Sequence, residues 1–236
     1  MTKILLFLAL LAGCNGLTDT NEKDGNEELA EEEVITLNYL ALGDSYTIGE
    51  SVSETERFPY QLIHSEFSKP HDIGNYKIIA RTGWTTRDLL DAMDKEVLEA
   101  GQWDFITLLI GVNNQYQGKP FSQYEKEFNE LMDRAIALLE GDASRLIVVS
   151  IPDYSVTPFA ASRDPEKIAT ELKRYNDYNE KIAKERDAQY VYITDLTQDA
   201  KDDLSLLAED QLHPSGKNYG QWVERMVPKV EGVIEN

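Results

Sequence analysis

From Val34 onward the chain alternates short apolar runs with longer amphipathic stretches, and this alternation constrains the fold more than any other feature. The runs at Ile35 to Leu42, Tyr76 to Ala80, Phe105 to Ile110, Arg145 to Ile151 and Tyr190 to Ile193 are rich in β-branched and apolar residues. Continuous apolar runs of this length suit strands buried on both faces. Between them, Arg57 to Phe67 carries Phe58, Leu62, Ile63 and Phe67 at helical spacing, and Thr86 to Ala100 carries Leu89, Leu90, Met93, Val97 and Leu98. Phe121 to Glu140 reads as a helix with a Ser122/Glu125 capping box and a stop at Gly141. Asp164 with Pro165 opens another helix, and a last one is expected over Asn218 to Val233. Strand and helix in alternation predict parallel strands with helices on both faces, with functional residues just outside the carboxyl ends of the strands. Nothing Pro- or Gly-rich divides this stretch, so it reads as one α/β domain, 34–236.

The first 33 residues obey different rules. Lys3 precedes an unbroken apolar run from Ile4 to Ala12, too short for a bilayer span of about 20 residues. A positive start, a short apolar core and small residues at a cut site describe a secretory signal over residues 1–13. Leu11-Ala12-Gly13-Cys14 resembles the lipobox of bacterial lipoproteins. That resemblance implies a diacylglycerol on the Cys14 thiol and a lipid anchor in the bacterial cell envelope. Asn15 to Glu33 holds eight acidic residues, one lysine and no aromatics. Such a segment cannot bury enough apolar surface to offset its ordering entropy, so 14–33 is expected to be a disordered tether.

The charge balance excludes some classes. With 43 acidic against 23 basic residues the net charge is −20, and an acidic surface repels nucleic-acid phosphates. A single cysteine rules out an intramolecular disulfide and a CxxC redox motif, and three histidines make a His-rich metal site a poor expectation.

Four short motifs carry chemistry. Gly43-Asp44-Ser45 follows the first predicted strand, Gly83 the second, and Gly111-Val112-Asn113-Asn114 the third. Asp210-Gln211-Leu212-His213 precedes the last helix. In this order and context they resemble the SGNH, or GDSL, hydrolase family, over essentially the whole body from Ile35 to about Gln221. The family fold is a three-layer α/β/α sandwich with a five-stranded parallel sheet, the architecture expected independently from the alternation. A serine is a poor nucleophile until a base takes its proton. His213 is the only histidine beside a plausible orienting acid, and Asp210, three residues earlier, can turn back to its Nδ1 and fix the tautomer.

The resemblance implies Ser45 as nucleophile, His213 as acid–base and Asp210 as its partner. It also implies an oxyanion hole made of the Ser45 and Gly83 N–H groups and the Asn113 side chain. Tyr46 stands where the family name has leucine. Asn114 replaces the commoner aspartate, and the stretch before Gly83 lacks an asparagine two residues upstream. Trp84, Asn114, Tyr116, Tyr154 and Phe159, near the motifs, are expected to line a substrate pocket. The mechanism needs no cofactor or metal. The function that follows is a serine-dependent carboxylic-ester hydrolase for short acyl esters or lysophospholipids, working as a monomer. A carbohydrate O-acetylesterase of the same mechanism and a catalytically silent surface-binding lipoprotein are the alternatives.

Overall fold

Five strands form where the apolar runs lie: β1 (Ile35–Asp44), β2 (His71–Arg81), β3 (Phe105–Leu109), β4 (Leu146–Val149) and β5 (Gln189–Val191). The structure is a computed structural model that describes residues 35–68 and 71–234, all within one unit spanning Val34–Asn236. The expected signal segment, Cys14 and the acidic tether lie outside the described residues.

The strands pair in parallel in the order β2-β1-β3-β4-β5. Every residue of β3 and β4 is buried, so both faces of the sheet are covered by helices, the three-layer α/β/α arrangement. The chain runs from β1 outward to β2, then crosses back to β3 on the other side of β1. That reversal makes a topological switch point at the carboxyl ends of β1 and β3, where ligands bind in open α/β sheets.

The helices are α1 (Ser45–Ile48), α2 (Phe58–Ile63), α3 (Thr86–Met93), α4 (Val112–Tyr116), α5 (Phe121–Leu138), α6 (Pro165–Glu185), α7 (Thr194–Gln198) and α8 (Gly216–Ile234). Three expectations need correction. The helix expected over Arg57 to Phe67 is only α2, followed by a separate 3₁₀ turn at Glu66–Ser68. The one expected to reach Ala100 stops at Met93, leaving Val97 exposed, and Arg134 from α5 ion-pairs with Asp94 at the helix end. The capping box belongs to Thr85 and Asp88 on α3, not to Ser122 and Glu125. On α5 the N-cap is Pro120, so Ser122 already lies inside the first turn.

The α5 stop is a Schellman turn in which Glu140, at φ +56°, is the left-handed residue and the Gly141 N–H donates to the Ile136 carbonyl at 2.9 Å. On α6, Asp164 caps the Lys167 N–H at 3.1 Å with Pro165 first in the helix, as expected.

Candidate active site

Ser45 stands where β1 ends and α1 begins. Its neighbours build the turn. Asp44 is the N-cap, its Oδ1 accepting the Tyr46 N–H at 3.1 Å. A Cβ on Gly43 would lie 2.0 Å from Thr47 Oγ1 and 2.5 Å from the Leu109 carbonyl oxygen on β3. Glycine is therefore required for α1 to fold back over the strand ends. Asp44 is fully buried, and its Oδ2 has no partner among the described residues. Burial pushes its carboxyl from 3.8 up to about 8, against a smaller opposing pull from the Tyr46 N–H.

Asp210 and His213 form one tight turn. Asp210 Oδ1 accepts the backbone N–H groups of Leu212 and His213, each at 2.9 Å. Its Oδ2 sits 2.6 Å from His213 Nδ1 and accepts the Ser51 hydroxyl at 2.7 Å. Gln211 takes φ +57° to close the turn. Partial burial works against ionisation of Asp210, but the bonds from His213, Ser51 and the two N–H groups outweigh it and hold the carboxyl down at about 2. An ionised carboxylate can only accept, so His213 Nδ1 is the donor in this pair and Nε2 is the ring nitrogen left for another partner.

The two halves meet in a cavity of about 230 Å3 lined by Ser45, Tyr46, Thr82, Gly83, Val112, Asn113, Tyr116, Tyr154, Phe159, Leu212 and His213. The Tyr46 ring packs 5.1 Å from the imidazole, and its backbone carbonyl accepts the Tyr219 hydroxyl at 2.9 Å, tying α1 to α8. Gly83 takes φ +83° after β2, a conformation that favours glycine, and its carbonyl accepts Gln117 Nε2 at 3.1 Å. Asn113 Nδ2 donates to the Trp84 carbonyl at 3.0 Å. The amide has two protons, so one remains for a ligand.

Of the expected pocket residues, Tyr116, Tyr154 and Phe159 line this cavity, whereas Trp84 and Asn114 do not. Trp84 contributes its carbonyl to the loop and packs its ring against the core. Asn114 is fully buried, its Oδ1 accepting the Thr86 N–H at 3.0 Å and its Nδ2 donating to Thr86 Oγ1 at 2.8 Å. On α4 it points away from the side that presents Asn113, since adjacent helical residues diverge. The Thr86 hydroxyl in turn donates to the buried Glu127 carboxylate at 2.5 Å, which locks the α3 entry to α4 and α5.

Sequence reasoning missed Tyr46, Thr82, Val112, Leu212 and Ser51. The first four adjoin motif residues and are readable from that proximity, but nothing in the sequence marks Ser51. His64 stacks on Tyr60 away from the cavity. Among the described residues no group of three His, Cys, Asp or Glu side chains is placed to hold a metal ion.

The fold has counterparts among known proteins. The chain is 25% identical over 244 residues to YpmR of Bacillus subtilis (strain 168), described as uncharacterized, covering 95% of this chain and 92% of that one. Its fold is shared with the psychrotrophic esterase EstA from Pseudoalteromonas sp. (TM-score 0.62, 17% identity, 84% of this chain and 99% of that one). It is shared equally with the acetylxylan esterase Axe2 from Geobacillus stearothermophilus (TM-score 0.62, 18% identity, 84% and 95%). Residues 41–220, which hold all four motifs and nearly all of the elements that present them, match the GDSL-like Lipase/Acylhydrolase family. With the parallel sheet and the motif order in agreement, the chain belongs to that family and is an ester hydrolase.

Proposed function

We propose that the chain hydrolyses short acyl esters through an acyl-enzyme on Ser45. His213 Nε2 takes the Ser45 proton as Oγ attacks the ester carbonyl and hands it to the departing alcohol. Asp210 keeps the imidazole in the required tautomer and stabilises it when charged. The Ser45 and Gly83 N–H groups and the Asn113 amide receive the negative oxygen of the tetrahedral intermediate, a role in which losing one donor typically costs about 100- to 1,000-fold. Water then releases the acid by the reverse route.

The observation that carries this reading is the convergence of Ser45, His213, Gly83 and Asn113 on one small cavity. At about 230 Å3 it falls below the roughly 300–1,000 Å3 of pockets that hold drug-sized ligands, so a short acyl group fits the volume.

A second cavity of about 280 Å3 supports carbohydrate O-acetyl esters as the second reading. It shares Tyr116 and Tyr154 with the first and is lined by Gln115, Arg163, Lys167 and Glu171, a set suited to a hydroxyl-rich alcohol. We also infer, from Leu11-Ala12-Gly13-Cys14 and the acidic stretch behind it, that a lipid on Cys14 tethers the enzyme in the cell envelope.

The test is hydrolysis of p-nitrophenyl acetate, butyrate and octanoate by the wild type and Ser45→Ala. The expected result is a preference for acetate and butyrate, with kcat in the variant lower by roughly 10⁴-fold or more. A folded Ser45→Ala protein that keeps wild-type turnover removes the serine mechanism.

A further inference from the structure

Four residues other than glycine take a left-handed backbone among the described residues: Ser51, Glu140, Asp187 and Gln211. Glu140 and Asp187 each follow the C-cap of a long helix, where that conformation ends the helix. Ser51 and Gln211 end no long helix. Both bear on the Asp210 carboxylate, Gln211 through the backbone turn and Ser51 through a direct hydrogen bond. Gln211 closes the turn that aims Asp210 at His213, and Ser51, at φ +66°, brings its hydroxyl to Asp210 Oδ2 from 159 residues away. Oδ2 is also the oxygen that faces His213 Nδ1. A non-glycine residue held in this conformation is a cost that surrounding structure must impose, and such residues concentrate at functional sites.

Ser51 lies on the turn that leaves α1, six residues after Ser45. The Gly49 and Glu50 N–H groups both donate to the Ser45 carbonyl, the latter at 3.0 Å, and from beyond β2 the Thr82 hydroxyl donates to the Glu50 carboxylate. The turn that carries Ser51 is thus tied to the Ser45 segment and braced from the loop after β2. Without its hydroxyl, Asp210 Oδ2 would be held by His213 alone, and the carboxylate could rock about the two N–H bonds on Oδ1.

We propose that Ser51 is a positioning residue for the ester-hydrolase site, joining the Ser45 segment to the Asp210–His213 turn by holding the Asp210 carboxylate in the plane that orients the imidazole. The assignment rests on the reading of Ser45, Asp210 and His213 given above. Ser51 touches neither substrate nor reacting atoms, and acts through Asp210.

Two substitutions in the full chain separate this role from a structural one, because each changes stability and turnover independently. Ser51→Gly relieves the backbone and deletes the donor. Ser51→Thr keeps the donor but places a β-branched residue where it is strained. The expected result for Ser51→Gly is an unchanged or raised Tm, kcat down about tenfold (the loss of one hydrogen bond to a charged acceptor), KM unchanged, and a displaced low-field His213 Nδ1–H proton resonance. For Ser51→Thr the expected result is a lowered Tm with kcat and the resonance near wild type.

Turnover that follows Tm across the two variants overturns the proposal, as does a Ser51→Gly protein with wild-type kcat and an unmoved resonance. Ser45→Ala is run alongside. If it retains turnover while Ser51→Gly still displaces the resonance, the hydrolytic reading fails and the coupling of Ser51 to His213 stands. If the resonance does not move, the coupling itself fails.

Discussion

Replacing Asp44 by asparagine should make the protein more stable at alkaline pH, and the size of the effect follows from where the carboxyl sits. Asp44 is fully buried next to Ser45, with one oxygen bonded to the Tyr46 N–H and the other without a partner among the described residues. Burial moves its pKa from 3.8 to about 8. Between these values the folded protein keeps a proton that the unfolded chain has released. Stability contributed by this proton is complete below pH 4, and is lost as pH rises toward 8. At about 1.4 kcal/mol per pH unit, the cost by pH 8 is on the order of 5 kcal/mol, a large share of the roughly 5–15 kcal/mol that keeps a domain folded.

Asparagine keeps the Oδ1 acceptor that caps α1 and has nearly the same shape, but it does not ionise. The assay is urea unfolding of wild type and Asp44→Asn at pH 5, 6.5 and 8.5. Taking the difference between the two proteins cancels every other titrating group. At pH 5 the variant should already lead by about 2 kcal/mol, the loss accrued above 3.8 at about 1.4 kcal/mol per pH unit, give or take about 1 kcal/mol for replacing one neutral hydrogen-bonding group by another. At pH 8.5 the variant should lead by several kcal/mol at equal m-values. A stability difference that stays constant from pH 5 to 8.5 would refute the reasoning, because it would mean that the buried carboxyl holds no proton that the unfolded chain lacks.

Two further substitutions probe how the site is built. Gly43→Ala places a methyl 2.5 Å from the Leu109 carbonyl on the neighbouring strand, which cannot move cheaply. Thermal or urea unfolding should show a loss at or above the upper end of the roughly 1–3 kcal/mol typical of overpacking. Asn114→Asp restores the commoner residue of the family pattern but removes the amide donor to Thr86 Oγ1, whose single proton already goes to Glu127. Unfolding at pH 7 should show a loss of about 1–3 kcal/mol that shrinks in acid as one of the two carboxyls takes up a proton.

Much of this arrangement is readable from the sequence because it depends on local pattern. β3 and β4 are buried at every residue, and continuous apolar runs are the signature of such strands. The motif residues follow them because the carboxyl ends of parallel strands are where an α/β sheet presents side chains to a ligand. What the sequence misleads on is where two local patterns compete, or where a residue's facing depends on the helix that forms. Val97 and Leu98 keep the helical phase of Leu90 and Met93, but the helix ends where Arg134 takes hold of Asp94 from α5. Thr85-Thr86-Arg87-Asp88 and Ser122-Gln123-Tyr124-Glu125 share a capping pattern, and only the first is a cap. The second begins two residues after Pro120, which had already started its helix. Asn114 was assigned to the pocket for its proximity to Asn113. A rotation of about 100° per helical residue sends the two side chains to different places.

The sharpest limit on a sequence reading is the contrast between Asp44 and Asp210. Both are aspartates beside a proposed catalytic residue, and the structure drives their carboxyls apart, to about 8 and about 2. The difference is the number of donors. Asp44 has one N–H and full burial, so desolvation wins and the proton stays. Asp210 has two backbone N–H groups, the His213 ring and the Ser51 hydroxyl, and hydrogen bonding wins. Three of those four donors come from the turn that Asp210 itself begins and are implicit in the Asp210-to-His213 spacing. The fourth comes from the far end of the domain, in a backbone conformation serine rarely adopts, and only the fold reveals it. In the proposed mechanism these opposed carboxyls suit acid–base chemistry near neutral pH: a protonated Asp44 adds no charge beside Ser45, and an ionised Asp210 accepts from His213 Nδ1.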